Sequence, residues 1–293
     1  MTLPLPAKDQ PFFRVSALEA GMLQLPLELI LAGYKDPIDV PSLSFLLRHS
    51  SSGKTVVFDL GIRRDLEAYP PLPYEGIKKH WVPTVQQSVA ESLQIGGIEP
   101  SDVNYVIISH LHWDHAGDPR PFTNATFIVG ADSCHMTESN TEDVNAVPAS
   151  GLPQDRTRFE GRETWQPLGP FPLALDVFGD GSAYLVDAQG HCHGHTNLLV
   201  RTSADGAWIY FAGDSAHDRR LLTGEASMAI RTNEDGSVKA IMHKDMDKAK
   251  AHIQRIAALE KKDRVRVLLA HDREWYATNK GGPAFWPGEI PSL

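Results

Sequence analysis

The sequence is poor in the features that mark several large classes of protein. Only two cysteines, Cys134 and Cys192, occur in 293 residues, so no disulfide framework is implied and a reducing compartment is expected. No apolar run approaches the roughly 20 residues that cross a bilayer. The opening stretch, residues 1–13, lacks the charged start and continuous apolar core of a secretory leader. The expectation is a cytoplasmic protein with no membrane partner. Positive charge is also short: 28 Lys and Arg face 37 Asp and Glu, a net charge of −9. That leaves no broad basic surface to neutralise phosphates, so nucleic acid is excluded as a partner. The one basic run, Lys261, Lys262, Arg264 and Arg266, reads as the solvated end of a helix leading into a strand. Repeats and low-complexity tracts are absent.

What is present suits a globular enzyme. Hydrophobic residues make up 42% and charged residues 22% of the chain, and the length buries a large core unaided, so residues 1–293 are expected to form a single domain. Residues 42–49 and 54–60 read as β-segments joined by Ser-Ser-Gly, a hairpin. The stretch 63–83 holds Pro70, Pro71, Pro73 and Pro83 among Tyr69, Tyr74 and Trp81, and reads as a loop, either a lid over a site or a surface excursion. Thr84 is expected to cap a helix to Gly96 with Val85, Val89 and Leu93 on one face. Strands are expected over 103–109, 125–129, 183–187, 196–202, 207–212 and 265–270, with a helix from Asp245 or Asp247 to Leu259. Many strands with few helices predict a layered α/β body with largely separate sheets.

The chemistry is concentrated in His110-Leu111-His112-Trp113-Asp114-His115, directly after a predicted strand. Alternate residues of an extended stretch share a side, so His110, His112 and Asp114 can converge, and a turn eased by Gly117 brings His115 alongside. Imidazole and carboxylate without thiolate suit a catalytic rather than a structural zinc site, and also suit iron or manganese. The same placement of a ligand after a strand recurs at His191, Asp214 and His271. Five histidines and two aspartates are enough to hold two metals.

These segments, HLHWDH at 110–115, GHCHGH at 190–195, GDSAH at 213–217 and AHD at 270–272, together resemble the metallo-β-lactamase superfamily over about residues 40–275. The resemblance implies an αβ/βα sandwich of two mixed sheets flanked by helices. It also implies that His110, His112 and His191 hold one divalent metal, that Asp114, His115 and His271 hold a second, and that Asp214 bridges them, with Zn2+ the first choice. His195 is then a supporting residue and His193 a bystander. Cys192 is expected to pack between ligand loops.

Within the superfamily the pattern is most similar to N-acyl homoserine lactonases, with Asp59-Leu60-Gly61 as further support. The implied activity is opening of a lactone, or cleavage of an ester or thioester, by a metal-activated hydroxide on a small-molecule substrate. Those lactonases carry a tyrosine three residues after the bridging aspartate, where this chain has His217. Asp114 and His217 are the candidates for delivering a proton to the leaving group, a task that suits carboxyl and imidazole groups. Asp59 can orient a ligand histidine or cap a turn. The rival activities are a single-iron persulfide dioxygenase, a polyketide thioesterase and a glyoxalase II-like thioesterase. His49, His80, His135 and His252 have no partner spacing and read as structural.

Overall fold

A computed structural model describes residues 2–136 and 143–293. The chain begins with β1 (Phe13–Leu18), β2 (Met22–Leu25), α1 (Leu27–Ile30), β3 (Ile38–Pro41), β4 (Ser44–His49) and β5 (Thr55–Phe58). It continues through α2 (Pro71–Gly76), α3 (Val89–Ile95), β6 (Tyr105–Ile107), α4 (Trp113–Ala116), β7 (Thr126–Gly130) and β8 (Thr157–Glu160). Next come β9 (Gln166–Leu168), β10 (Phe171–Asp176), β11 (Ala183–Asp187), β12 (Thr196–Arg201) and β13 (Trp208–Phe211). The last elements are α5 (Arg219–Thr223), β14 (Ile230–Thr232), β15 (Val238–Ala240), α6 (Met246–Glu260), β16 (Val265–Leu268) and α7 (Arg273–Asn279).

Two six-stranded sheets dominate, ordered β1-β4-β5-β6-β7-β8 and β16-β13-β12-β11-β10-β9. Both are mixed. In the first, β5 through β8 run parallel beside an antiparallel β1-β4-β5 edge. In the second, only β13 and β16 are parallel. Aromatic and branched side chains of both inner faces form one layer, with the Phe45 and Phe211 rings 4.3 Å apart between centroids. Because each sheet is covered on both sides, β12 and β13 are buried at every residue and read as continuous apolar runs rather than alternating ones.

Helices close the outer faces. Val89 and Leu93 of α3 share a cluster with Val57 and Val106 outside the first sheet. Ala249, Ile253, Ile256 and Leu259 of α6, spaced at helical period, join Leu199 and Tyr210 outside the second. This is the expected sandwich, and the hairpin over 44–58 and the strands around 105, 126, 183, 196, 208 and 265 fall where the sequence puts them.

Four expectations need correction. The 63–83 stretch is not a loop: it contains a 3-10 turn at Leu66–Ala68, α2, and a π-helical turn at Ile77–Trp81. Its prolines do not break α2, because Pro71 and Pro73 sit in the first turn, where the missing N–H has no intrahelical partner. Thr84 caps nothing; its backbone pairs with Met22, and α3 starts at a Ser88–Glu91 capping box. Asp114 does not continue an extended run, since α4 begins immediately after His112 and presents Asp114 and His115 from a helical turn. Finally, β1–β3, β8–β10, the β14–β15 hairpin and α7 are additional elements.

Candidate metal centre

Loops at the carboxyl ends of five strands meet at one edge of the sandwich. Asp59 follows β5, residues 110–115 follow β6, His191 follows β11, Asp214 follows β13, and His271 follows β16. Tight backbone allows the approach. Gly117 has φ +48°, and a Cβ there would lie 2.3 Å from the Leu60 carbonyl oxygen. Gly213 has φ +46°, and its Cβ would come 2.8 Å from His195 Nε2.

All seven predicted ligand residues are buried and come together. The Asp214 carboxylate lies at the centre. Its Oδ1 is 3.3 Å from His115 Nε2 and 3.3 Å from His271 Nε2, while its Oδ2 is 3.8 Å from His110 Nε2 and 3.6 Å from His191 Nε2. Asp114 Oδ2 lies 3.5 Å from His271 Nε2 and 3.8 Å from His115 Nε2. His112 Nδ1 is 3.0 Å from His191 Nε2.

Each of the five imidazoles has one nitrogen committed outward. His191 Nδ1 meets the Met242 carbonyl at 2.9 Å, His271 Nδ1 meets that of Pro41 at 2.8 Å, and His115 Nδ1 meets Asp59 Oδ2 at 2.8 Å. His112 Nε2 meets Asp143 Oδ2 at 3.1 Å, and His110 Nδ1 meets Ser109 Oγ at 3.0 Å. An outward N–H donor fixes the tautomer and leaves a lone pair facing inward. Those inward atoms are the ones without partners: His110 Nε2, His115 Nε2 and Asp214 Oδ1 are buried with no hydrogen bond. Buried polar groups are seldom left so, because each costs about 1–3 kcal/mol. A donor set of imidazole nitrogens and carboxylate oxygens converging on such orphans fits divalent metal.

Electrostatics divide the five rings: although burial opposes charge on each, Asp214 holds His115 well above its ordinary value, Asp143 raises His112 and Asp214 raises His271, so these three favour a proton that a bound cation would displace. Burial, together with the neighbouring His115, His112 and His191, holds His110 well below its ordinary value, and burial with His112 does the same for His191, which keeps both rings neutral. Burial opposes charge on Asp214, yet His115 and His271 hold its carboxyl well below the usual range. Burial raises the Cys192 thiol far above its usual value, with Asp143 and Asp214 adding to it. Its Sγ lies within 4.8 Å of ligand atoms of His110, His112 and His191, packed among the ligand loops.

The supporting residues are partly as expected. Asp59 takes φ +60° and accepts from Ser109 N and Oγ as well as from His115, so it both orients a ligand and ties down its turn. His195 donates to the Ala188 carbonyl and accepts from Asp214 N at 3.1 Å; burial lowers its pKa to about 4 and keeps it neutral for that role. His193 is exposed. His217 is 3% exposed, its Nε2 lies 3.2 Å from Asp214 Oδ2, and neither ring nitrogen is hydrogen-bonded.

Two residues escaped the sequence reading, and a third was misread. Asp143 supports His112 from 31 positions away, without any local pattern to announce it. His243 packs beside His191 and His217, at 5.4 and 5.2 Å between ring centroids, and follows β15, a three-residue strand too short to announce it in the sequence. His80, expected to be structural, lines a cavity of about 510 Å³ together with Trp81, His112, His191 and His243. Trp81 also stacks near Trp113, at 6.3 Å, and the Tyr69 hydroxyl donates to the Trp113 carbonyl. The other scattered histidines lie elsewhere: His49 pairs with Asp180, His252 joins a buried network under α6, and His135 is exposed.

Comparison with known proteins adds the family. The model for the metallo-beta-lactamase superfamily matches residues 37–271, about four fifths of the chain. The chain belongs to that superfamily. Among curated relatives, cytochrome P450 monooxygenase mpaDE' of Penicillium brevicompactum is 30% identical over 276 residues, covering 86% of this chain and 32% of that protein. The chain spans about a third of the length of the first curated relatives it matches. N-acyl homoserine lactonase AttM of Rhizobium radiobacter is 27% identical over 278 residues, covering 93% of this chain and 98% of the relative. Among solved structures, a variant of Bacillus thuringiensis AiiA with N-decanoyl-L-homoserine bound at the active site matches with a TM-score of 0.72. It is 19% identical over 95% of this chain and 99% of that one, which is a likeness of fold. Among the described residues, no helix is long and apolar enough to cross a membrane.

Proposed function

We propose that the chain is a dinuclear metal-dependent hydrolase that opens a lactone or cleaves an ester of a small molecule. The observation that carries this reading is the division of the Asp214 carboxylate. Oδ2 faces His110 and His191, which His112 joins, and Oδ1 faces His115 and His271, which Asp114 joins. One carboxylate would thus join two three-residue sets, each able to hold a divalent cation, with Zn2+ favoured by the imidazole-rich donors. The likeness to AttM supports a lactone as the substrate type. The second set, Asp114, His115 and His271, is what favours two metals over the single iron of an oxidative enzyme.

Two bound cations supply Lewis acidity, activating water near neutral pH and polarising a carbonyl. The chain's own groups do the rest. Trp81 and the helical segment before it wall the approach, serving as a lid-side surface against which an acyl group packs. Leu23, Leu25, Trp113 and Met242 keep the recess over Asp214 and His271 apolar, which strengthens polar interactions inside it. As the carbon–oxygen bond of the tetrahedral adduct breaks, His217 gives its proton to the leaving oxygen, with Asp114 the alternative donor. His217 lines the recess with Nε2 3.2 Å from Asp214 Oδ2, which puts its ring beside the proposed metals.

The test measures metal content and turnover of lactones, aryl esters and thioesters on one preparation. Two zinc-like ions per chain with lactone or ester hydrolysis are expected. One iron per chain with oxygen consumption, or thioester turnover alone, would overturn the reading.

A further inference from the structure

The cavity beside the metal centre is cationic at its outer end, although the chain as a whole carries −9. Arg231, Lys239 and Lys244 line it, and all three are exposed, the first two on one short hairpin. Those two lie directly opposite one another in the antiparallel β14–β15 hairpin. Cross-strand neighbours at such positions share a face with Cβ atoms about 4.5–5.5 Å apart, and like charges there are destabilising. The pair is only partly offset. The Arg231 side chain makes no hydrogen bond or ion pair among the described residues. The acid that senses Lys239 is Asp235 in the turn, whose carboxylate already accepts from Ser237 N and Oγ. The acid lining the cavity, Asp143, is committed to His112. The hairpin is also held in place: Ala229 N–H donates to Ile30 and Ile241 N–H donates to Ala229, so the two cations project from an anchored element.

We propose that Arg231 and Lys239 form a recognition site for a carboxylate on the substrate. The inference rests on the hydrolase reading above and specifies its substrate class: a lactone or ester whose apolar body lies against Leu29, Trp81, Ile241 and Met242 and whose far end is anionic. The volume, about 510 Å³, holds a molecule of that kind between the metal ligands and the hairpin. Arg supplies a planar fork that matches two carboxylate oxygens, and Lys supplies a point charge beside it. The anion relieves a repulsion that the folded chain otherwise carries, so recognition and hairpin stability are linked.

The experiment compares 4-nitrophenyl butyrate with mono-4-nitrophenyl glutarate, which differ by a terminal carboxylate, on the metal-loaded protein. The ratio of kcat/KM for the anionic to the neutral ester should exceed unity. It should fall about 10-fold in Arg231→Gln/Lys239→Gln, mainly through KM, and invert in Arg231→Glu/Lys239→Glu. Added salt should shrink the ratio more in the wild type than in the neutralised variant, where Lys244 is the cation left in the cavity. Neutralisation should also leave or raise Tm, whereas a merely structural pair would lower it. An unchanged ratio across the variants overturns the proposal. A second arm, calorimetric binding of glutaramate against butyramide, which differ by the terminal carboxylate, separates this inference from the reading it rests on. If neither ester is hydrolysed but glutaramate binds more tightly and loses that advantage in the double variant, the hydrolase reading fails and the anion site stands. If the two amides bind alike, the anion site fails whatever the turnover.

Discussion

Two buried polar clusters lie on either side of β13, and they are built on opposite principles. Under α6, Asn197, Tyr210, Ser215 and His252 satisfy one another. With the Asn197 amide oriented to use all its atoms, its oxygen accepts from the Tyr210 and Ser215 hydroxyls and its NH2 donates to the Ala212 carbonyl. At the sheet edge, His110, His115, Asp214, His217 and His243 keep buried atoms with no partner. A fold tolerates a polar core when the network closes on itself, and pays stability when it does not. The closed cluster is therefore architecture, and the open one is the candidate metal centre. Composition does not separate them, since both hold buried histidine; only the direction of each lone pair does.

Breaking the open cluster at its centre should have the largest effect. Asp214→Ala is expected to lose both metals and about 10⁴-fold in kcat/KM, about 5 kcal/mol of transition-state stabilisation. Metal analysis beside kinetics checks it, and a variant with two metals and near-normal turnover would remove the bridge. His217→Ala should keep both metals while kcat falls about 10²-fold or more, and His217→Tyr should recover part of the loss. Metal loss from the alanine variant would make His217 a ligand instead. One shell further out, Asp59→Asn should weaken metal affinity about 10- to 100-fold by releasing His115, with the fold intact by circular dichroism. Chelator competition reads this directly.

The smallest effect tests the closed cluster. Burial lowers the His252 pKa to about 3, below its ordinary value near 6.5, so the folded state takes up fewer protons than the unfolded one on acidification. Stability from this group is complete above pH 6.5 and is lost as pH falls towards 3, amounting to about 2 kcal/mol by pH 5. The difference in unfolding free energy between wild type and His252→Gln should therefore shrink from pH 7.5 to pH 5 in chelator-treated protein. A constant difference would mean that His252 is not held neutral by its surroundings.

How much of this was legible in the sequence depends on the distance over which each interaction acts. The 110–115 motif and the ligands after β11, β13 and β16 were readable because strand-then-ligand is a local pattern, and the resemblance to the superfamily supplied the layered sandwich. The partners that orient the imidazoles were mostly not readable: Met242, Pro41 and Asp143 meet His191, His271 and His112 across 51, 230 and 31 positions. The helical character of 63–83 is masked by its prolines, which are compatible with α2 only because they fall in its first turn. The Ser88–Glu91 box was in plain view four residues beyond the cap chosen for α3. Short strands such as β9, β14 and β15 have too few residues to show a period.

The spread of the ligands along the chain also sets an order in time. Ribosomes add about 5–20 residues per second, so the interval between emergence of His110 and of His271 is on the order of 10–30 s. The proposed first set is complete once His191 has appeared, the bridge arrives with Asp214, and the second set waits for His271. A nascent chain thus offers the three imidazoles of the proposed first set well before the proposed second set, which is complete only after β16 has docked beside β13.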